Sequence, residues 1–405
     1  MKIFFICNKS PYPPREGGPI AMNALISGLV EAGHEVKVLA VTSDKFPVSE
    51  DTIPPDYRRQ TGIEFVHIDL SVKPVDAFLN LFSGKSFHVE RFRSRELESK
   101  IIRILEEEKF DIIQLETIYP GIYLDLIRKY SQAPVILRAH NIEHLIWQRI
   151  EQNTGNVFRK AYLWNLVRTL KKYEMDLVSR VDGIAAITKQ DADFFVARGC
   201  KRPVVDIPFG IELSKIPQSI AVPEFPSLFF LGSLNWYPNI EGLHWFLEQA
   251  WDKIHHSFPD LKFYIAGRGA PEWLLKIEKP NVIVLGEVPD AFAFMYSKGV
   301  MVVPLWSGSG VRIKIVEAMA AGKTVISTTI GAEGILFNQG IDLLLADDAC
   351  EFLEMVSWCL HDQSRCRQIG VNARELVFSF HDNAKIIARL CAFYHQAINS
   401  KGKNL

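Results

Sequence analysis

The sequence lacks the features that mark several large classes of protein. Its six cysteines are scattered and form no Cys-x-x-Cys pair, so neither a zinc site nor a disulfide framework is indicated. Its 46 basic residues are balanced by 47 acidic ones, which leaves no basic surface for nucleic acid. No apolar run reaches the roughly 18 residues that span a bilayer, and the N-terminal run is too short for a signal peptide. We therefore expect a cytoplasmic protein without a metal site or a nucleic-acid partner.

Strand and helix patterns alternate along the chain in two passes. In the first pass, short apolar segments such as "KIFFIC" and "PVILRAH" are typical of buried parallel strands. The Pro-rich stretch "SKIPQSIAVPEFPS" predicts a linker, and "LFFLGS", "LKFYIAG" and "VMVVPL" belong to the second pass. This order predicts an α/β protein of two Rossmann-like, doubly wound parallel-sheet domains facing a central cleft. The predicted domains are residues 1–212 and 226–380.

One stretch, "SGSGVRIKIVEAMAAGKTVIST" at residues 307–328, resembles two nucleotide-binding motifs without matching either. A Walker loop needs a glycine where Glu317 stands, so the letters AGKT are a chance match. A dinucleotide fingerprint needs a third glycine where Ile313 stands. What remains is a strand, a glycine-rich turn and a helix predicted at residues 311–321.

The residues of this turn suit a diphosphate. A helix that begins after Gly-Ser-Gly presents free N–H groups and a positive dipole end. Arg312 adds a bidentate phosphate donor, and Glu317 offers a carboxylate for hydroxyl groups one turn further on. The alternative is an ordinary helix start whose Lys314 and Glu317 form a salt-bridged face.

Two other turns also follow predicted strands. "PPREGGP", with Gly17 and Gly18, follows the first strand, and "RAHNIEH", with His140, includes the end of a later one. Ligands of open α/β sheets bind beyond the carboxyl ends of strands, so three such turns together indicate a binding site. Taken singly, a paired glycine is more often just a turn and such a histidine more often structural.

Several segments together resemble a known family. "GGPIAMNALISGLVEAGHEVKVLA", "VDGIAAITKQDADFF", "FFLGSLNWYPNIEGLHWFLE", "FYIAGRG", "VLGEVPD" and "GSGVRIKIVEAMAAGKTVISTTIGAEGI" follow its motif order over nearly the whole chain. The chain thereby resembles retaining glycosyltransferases of the GT-B fold, group 1 or family 4. The resemblance implies two Rossmann-like domains, with a nucleotide-sugar donor bound mostly to the C-terminal one.

The resemblance also implies roles for individual residues. Glu317 matches a carboxylate that binds the donor ribose, and His140 matches a histidine near the reacting sugar. The predicted catalytic groups are His140, from this match, and Arg312 and Lys314, from the residues of the turn. From the turn and the resemblance together, the predicted donor-binding residues are Gly17, Gly18, Gly232, Val288, Gly308, Ser309, Gly310, Val311 and Glu317.

The sequence departs from the family pattern at two places. The first glutamate of the family's paired motif is replaced by Ser309, which leaves recognition of the hexose open. The family's Arg and Lys after the first C-terminal strand are absent, because "GSLNWYPN" stands there. Arg312 and Lys314 are well placed to supply the missing charge, so we hypothesise that the two cations have moved into this loop.

The implied activity is transfer of a sugar from a UDP- or GDP-sugar to a glycan or lipid-linked acceptor, in surface polysaccharide or glycolipid synthesis. The family retains anomeric configuration and, in this fold, needs neither metal nor cofactor. Two alternatives stay open at this point. One is a nucleotide-sugar epimerase, and the other is a nucleotide-sugar-binding protein that has lost catalysis.

Two helical patterns raise separate expectations. Residues 157–174 place Phe158, Leu166 and Leu170 near a buried side and basic residues outside, so the helix could lie on an anionic membrane surface at the inner face of the cytoplasmic membrane. The alternative is a solvated basic face over a core helix. In residues 381–405, Ile386, Leu390 and Tyr394 form an apolar stripe that the resemblance implies packs back on the N-terminal domain.

Overall fold

The chain folds into two units, each built on its own parallel sheet. The computed structural model describes residues 1–14, 17–71, 80, 83–213, 216–217, 222–307 and 311–402. Contacts within the chain group Met1–Gly210 with Asn383–Leu405, and group Ile211–Asp382 separately.

The first unit has a seven-stranded sheet whose neighbouring strands are all parallel. Its strands are β1 (Lys2–Cys7), β2 (Glu35–Thr42), β3 (Glu64–His67), β4 (Ile112–Glu116), β5 (Val135–Ala139), β6 (Gly183–Ala186) and β7 (Val204–Asp206). Their order is β3-β2-β1-β4-β5-β6-β7. Strands β4 and β5 are buried along their whole length, including the polar residues Gln114, Glu116 and Arg138, because both faces of the sheet are covered.

Helices cover both faces of this sheet. They are α1 (Gly17–Glu31), α2 (Pro55–Thr61), α3 (Phe87–Glu90), α4 (Arg95–Glu107), α5 (Leu124–Tyr130), α6 (Glu143–Gln152), α7 (Val157–Arg180) and α8 (Lys189–Ala197), with 3-10 turns at Glu50–Thr52 and Tyr119–Tyr123. Local capping explains several starts: the side chains of Ser94, Asn156 and Thr188 each accept a backbone N–H of the first turn.

Helix α7 follows the predicted apolar pattern with one exception. Leu166 and Leu170 are buried as expected, whereas Phe158 is 89% exposed, so its predicted burial is wrong. The buried residues of α7 begin only at Leu163, because the first turn of the helix extends beyond the segment that packs on the core. The pattern of apolar residues alone does not show at which residue a long helix stops packing against the core.

The second unit repeats the arrangement with six strands. They are β8 (Ser227–Leu231), β9 (Lys262–Ala266), β10 (Val282–Gly286), β11 (Val300–Val303), β12 (Val325–Ser327) and β13 (Leu344–Leu345), in the order β10-β9-β8-β11-β12-β13 and all parallel. The helices are α9 (Tyr237–Trp245), α10 (Asp252–Ser257), α11 (Glu272–Leu275), α12 (Ala291–Ser297), α13 (Ile313–Ala320), α14 (Ala349–His361) and α15 (Gln363–Phe380). A π-helical turn, Phe246–Trp251, joins α9 to α10. Both sheets have the strand order of Rossmann-like domains, which confirms the predicted fold class.

A glycine brings two loops of the second unit together. Gly267, directly after β9, has φ of +151°, a conformation that disfavours other residues. A Cβ at this position would lie 1.7 Å from the carbonyl oxygen of Gly232. The loop after β9 therefore touches the loop after β8, and both lie at the carboxyl edge of the sheet.

The last helix, α16 (Asn383–Gly402), belongs to the first unit. Its predicted stripe of Ile386, Leu390 and Tyr394 is buried in the cluster that contains Ile3 and Phe5 of β1. Asn383 donates a hydrogen bond to the carbonyl of Ala24 in α1 at 3.0 Å. The predicted packing of this helix on the N-terminal domain is thus confirmed.

We expect Leu390→Ala to lower the free energy of unfolding by about 2–5 kcal/mol, because it leaves a cavity in a fully buried site. The exposed Gln396→Ala on the same helix is the control and should change stability by no more than about 0.5 kcal/mol. Urea unfolding followed by circular dichroism measures both. Equal midpoints for the two variants would show that α16 is not part of the core of the first unit.

Candidate active site

The glycine turn of the first unit lies beside two basic side chains. Gly17 and Gly18 open α1 after β1. A Cβ at Gly18 would lie 3.0 Å from Cε and 3.4 Å from Nζ of Lys9, and 4.0 Å from Nδ1 of His140. The structure therefore brings predicted Gly18 and His140 together and adds Lys9. In the sequence, Lys9 is only a single basic residue two positions after β1, which did not distinguish it as a site residue.

His140 is held by a buried carboxylate. Its Nε2 lies 2.6 Å from Oε2 of Glu116, the last residue of β4. Burial by itself would raise the pKa of Glu116, but the hydrogen bond from His140 and the charges of His140 and Arg138 hold that pKa below its ordinary value. Because an ionised carboxylate only accepts hydrogen bonds, Nε2 carries a proton and Nδ1 is directed towards Gly18.

A second carboxylate was missed by sequence reasoning. Glu143, the first residue of α6, accepts a hydrogen bond from the hydroxyl of Tyr119 at 3.2 Å. Burial, followed by the charge of nearby Glu174, raises the pKa of Glu143 to about 7. Only the contacts made in the folded chain distinguish this glutamate from a solvated one.

Glu174 explains why α6 begins where it does. This fully buried carboxylate of α7 accepts the backbone N–H of Glu143 at 3.0 Å and that of His144 at 3.1 Å. It also contacts Nδ1 of His144 at 2.6 Å. A side chain from another helix thus satisfies the free N–H groups that a local cap would otherwise serve.

In the second unit, the glycine-rich turn is only partly described. The predicted residues Gly308, Ser309 and Gly310 lie outside the described residues. Val311 is half-buried, and α13 begins at Ile313, two residues later than predicted, with Arg312 as its N-cap residue. Arg312 is 4% exposed, and its guanidinium lies 5.9 Å from the centre of the Trp236 ring.

Lys314 reaches back to the loop that follows β8. Its Nζ donates to Oδ1 of Asn239 at 2.8 Å and lies 4.1 Å from the centre of the Phe230 ring. A Cβ at Gly232 would lie 3.4 Å from this Nζ. Burial, followed by the charge of Arg312, lowers the pKa of Lys314 well below its ordinary value. The ammonium group thus stands beside the loop in which the family pattern lacks its two cations.

Glu317 faces no donor among the described residues. Burial alone raises its pKa to about 7. No described ion pair joins it to Lys314, so the alternative of a salt-bridged helix face is wrong. The reason is geometric, since Lys314 is directed to Asn239 instead. A half-buried carboxylate that has no hydrogen-bond donor among the described residues can accept hydrogen bonds from a ligand.

The remaining sequence features lie apart from this cluster. Val288 is half-buried between β10 and α12, and no described hydrogen bond, ion pair or ring contact joins it to Lys314 or Glu317. Lys323 of the AGKT letters donates to the carbonyl of Lys298 at 2.7 Å and to that of Tyr296 at 3.2 Å. Its ammonium group is therefore used structurally, which agrees with the rejection of a Walker loop. Among the described residues, no three His, Cys, Asp or Glu side chains are grouped to hold a metal ion.

Each unit thus presents reactive side chains at the carboxyl edge of its sheet. The second unit offers a buried guanidinium, a half-buried ammonium group beside Gly232 and a half-buried carboxylate, a set that suits an anion carrying hydroxyl groups. The first unit offers an imidazole nitrogen and an ammonium group beside Gly18, with a carboxylate of raised pKa nearby.

Two family models match the chain. The model described as "Glycosyltransferase Family 4" matches residues 17–215, and the model described as "Glycosyl transferases group 1" matches residues 225–362. Together they cover most of the sequence.

Two proteins are similar at 24% identity. One is an "uncharacterized 44.6 kDa protein in cps region" of Klebsiella pneumoniae, and the match covers 96% of this chain and 98% of that protein. The other is a phosphatidyl-myo-inositol mannosyltransferase of Mycolicibacterium smegmatis, with 82% of this chain and 77% of that protein covered.

Solved structures share the fold over nearly the full length. A sucrose-phosphate synthase from Thermosynechococcus elongatus superimposes on the protein with a TM-score of 0.72 at 16% sequence identity. The match covers 99% of this chain and 100% of the synthase chain. Anabaena HepE in complex with UDP superimposes with a TM-score of 0.70 at 15% sequence identity, and the match covers 98% of this chain and 100% of the HepE chain. The likeness shows the GT-B fold.

The raised pKa of Glu317 predicts a pH-dependent gain in stability for Glu317→Gln. The folded protein holds the Glu317 proton up to about pH 7, whereas the unfolded chain releases it near its ordinary value of 4.5. The unfolding free energy of the wild type therefore falls as pH rises through this window. Relative to wild type, Glu317→Gln should be more stable at pH 8 than at pH 5 by about 1–3 kcal/mol.

Denaturant unfolding at the two pH values measures this difference. The exposed Glu354→Gln serves as control and should behave as wild type at both. A constant difference between Glu317→Gln and wild type across pH would mean that the carboxylate is satisfied in the free protein.

Proposed function

Because the chain belongs to the group 1 and family 4 glycosyltransferases, we propose that it transfers a sugar from a nucleoside-diphosphate donor to a glycan or lipid-linked glycan. The transfer would retain anomeric configuration and serve cell-surface polysaccharide or glycolipid synthesis. The observation that carries the proposal is the cluster of Arg312, Lys314 and Glu317 at the carboxyl edge of the second sheet.

Arg312 and Lys314 would bind the diphosphate of the donor. Arg312 is buried and Lys314 is half-buried, so a charge-assisted contact with a phosphate would be stronger there than at the exposed surface. Burial and, after it, the charge of Arg312 lower the pKa of Lys314, and the negative charge of an incoming phosphate would compensate for both. Glu317 would accept hydrogen bonds from the ribose hydroxyls. HepE structures with UDP and UDP-glucose make a UDP-sugar the first donor to test, with GDP-sugars next.

The proposed chemistry needs charge stabilisation more than acid–base catalysis. Breaking the bond between the anomeric carbon and the diphosphate leaves negative charge on the leaving group, and Arg312 and Lys314 would stabilise it there. In front-face attack, the leaving phosphate itself takes the proton of the acceptor hydroxyl. The cations fill the role that a divalent metal has in other transferases, so we propose that none is required.

The first unit would contribute the group that contacts the reacting sugar or the acceptor. Nδ1 of His140 is the candidate atom, since Nε2 is held by Glu116. Lys9 and Gly18 border the same space. Glu143 would act as a hydrogen-bonding partner of acceptor hydroxyls, because a carboxyl group with pKa about 7 both donates and accepts near neutral pH.

We also propose peripheral contact with an anionic membrane through α7. Val157 is 76% exposed, Phe158 89% and Trp164 58%, and the neighbouring Arg159, Lys160, Arg168, Lys171 and Lys172 are all exposed. Exposed apolar side chains among cations suit the boundary between lipid headgroups and acyl chains. The similar mannosyltransferase is named for a phosphatidylinositol acceptor, which supports a lipid-linked substrate. None of the described helices is both long and apolar enough to span a bilayer.

The donor assignment is tested by titrating UDP, GDP and their sugars into the protein in EDTA, and by following nucleoside diphosphate release. We expect one donor to bind and to be hydrolysed slowly without added metal. Arg312→Ala should weaken binding at least tenfold, since a hydrogen bond to a charged group contributes about 1.5–3 kcal/mol.

The exposed Arg367→Ala in the same unit is the control and should bind as wild type. Unchanged affinity in Arg312→Ala would refute the relocation of the cations. Activity that is lost in EDTA and restored by Mn²⁺ would refute metal independence. Binding without turnover would indicate a nucleotide-sugar-binding protein, and an epimerised donor would indicate an epimerase.

The membrane assignment predicts sedimentation with vesicles that contain anionic lipid, but not with purely zwitterionic ones. Phe158→Asp should lower the partition coefficient between vesicles and water roughly tenfold, because it removes an apolar anchor and adds a charge that anionic lipid repels. Phe380→Asp is the matched control, as Phe380 is 52% exposed on the second unit. Equal binding of the two variants to anionic vesicles would refute membrane contact through α7.

A further inference from the structure

A chain of hydrogen bonds leads from the last helix to His140. The hydroxyl of Tyr394 in α16 donates to Oε1 of Gln114 in β4. Nε2 of Gln114 donates to Oε1 of Glu116 at 2.5 Å, and Oε2 of Glu116 lies 2.6 Å from Nε2 of His140. Tyr394, Gln114 and Glu116 are fully buried, and the side chain of His140 is 9% exposed. All four residues belong to the first unit.

Each link in this chain has a fixed direction. The ionised carboxylate of Glu116 only accepts, so it takes a proton of the Gln114 amide on one oxygen and that of His140 on the other. The amide oxygen of Gln114 is then turned towards Tyr394, whose hydroxyl donates to it. Because no group can reverse its role without losing a hydrogen bond, the chain fixes both the plane of the His140 ring and the nitrogen left for a ligand.

Arg138 supplies the opposite charge. It pairs with Glu116 in the register of β4 and β5 and is fully buried, and its charge helps to lower the pKa of Glu116. Two of its donors, Nε and Nη1, have no hydrogen-bond partner among the described residues. Buried charges with incomplete partners destabilise a core that apolar residues could fill. Side chains two positions apart in a strand share a face, and on this face Ile112 of β4 and Ile136 of β5 belong to an apolar cluster that also contains Leu390. A stabilising role does not explain this row of polar groups.

We propose that Glu116, Gln114 and Tyr394 are positioning residues for His140, and that the C-terminal helix thereby takes part in catalysis from inside the core. The chain holds the imidazole with Nδ1 towards the space beside Gly18 and Lys9, where sugar or acceptor would bind. This inference rests on the proposed function for the role of His140. The orientation of the ring itself does not depend on which donor or acceptor is used.

The test uses Tyr394→Phe, which removes one oxygen, and Glu116→Gln, which removes the charge. The control is Tyr123→Phe, because Tyr123 is likewise buried in the first unit and its hydroxyl donates to the carbonyl of Phe92 at 2.8 Å. Two readouts are taken on the full chain. The first is the set of ring ¹⁵N shifts of His140 in the ligand-free protein, assigned with His140→Gln. The second is kcat and KM for release of nucleoside diphosphate from the donor.

We expect Tyr394→Phe to lower kcat about 3–10-fold and Glu116→Gln at least tenfold, with donor KM unchanged. Both should shift the Nε2 resonance of His140, whereas Tyr123→Phe should alter neither readout even if it melts at a lower temperature. Unshifted His140 resonances together with control-like kcat in Tyr394→Phe would overturn the proposal. Should Glu116→Gln fail to fold, Tyr394→Phe alone decides. A wild type that turns over no donor would refute the proposed function, while the resonances would still test the positioning.

Discussion

Withdrawal of charged side chains from water at the carboxyl edges of the two sheets is the constraint on which the rest of the structure depends. Glu317 and Glu143 have pKa values raised to about 7 by burial, and Lys314 has one lowered well below its ordinary value. A domain selected only for stability would place such groups in water. Groups with such shifted pKa values are typical of functional sites, which is consistent with the proposed role of these residues in binding a ligand with charge and hydroxyl groups.

In the second unit, the proposed donor site lacks two cations that are typical of its family. The loop after β8 carries no basic side chain, yet Lys314 extends from α13 across the sheet edge to Asn239 and Gly232 of that region. Parallel strands make this exchange feasible, because all loops at one edge converge on the same volume. The proposed relocation of the two cations is compatible with this geometry, because Lys314 reaches the region where the family pattern has its basic residues.

The first unit depends on its last helix in two ways. Ile386, Leu390 and Phe393 complete the core over β1, so the unit cannot close without a segment distant in sequence. Tyr394 adds a polar contact to the same surface and ends the hydrogen-bond chain that leads to His140. One helix thus joins the stability of the unit to the geometry of its candidate site.

The sequence by itself determined the fold class and the family, because the periodicity of strands and helices and the order of the motifs can be seen along the chain without knowledge of tertiary contacts. It also indicated the buried stripe of α16. The predicted site residues stay predictions, and only the tertiary structure decided their surroundings: that Lys314 pairs with Asn239 instead of Glu317, that Glu116 holds His140, and that Phe158 lies exposed. Each of these depends on which distant segments pack together and on how much water they exclude, and neither quantity is written in the spacing of residues along one segment.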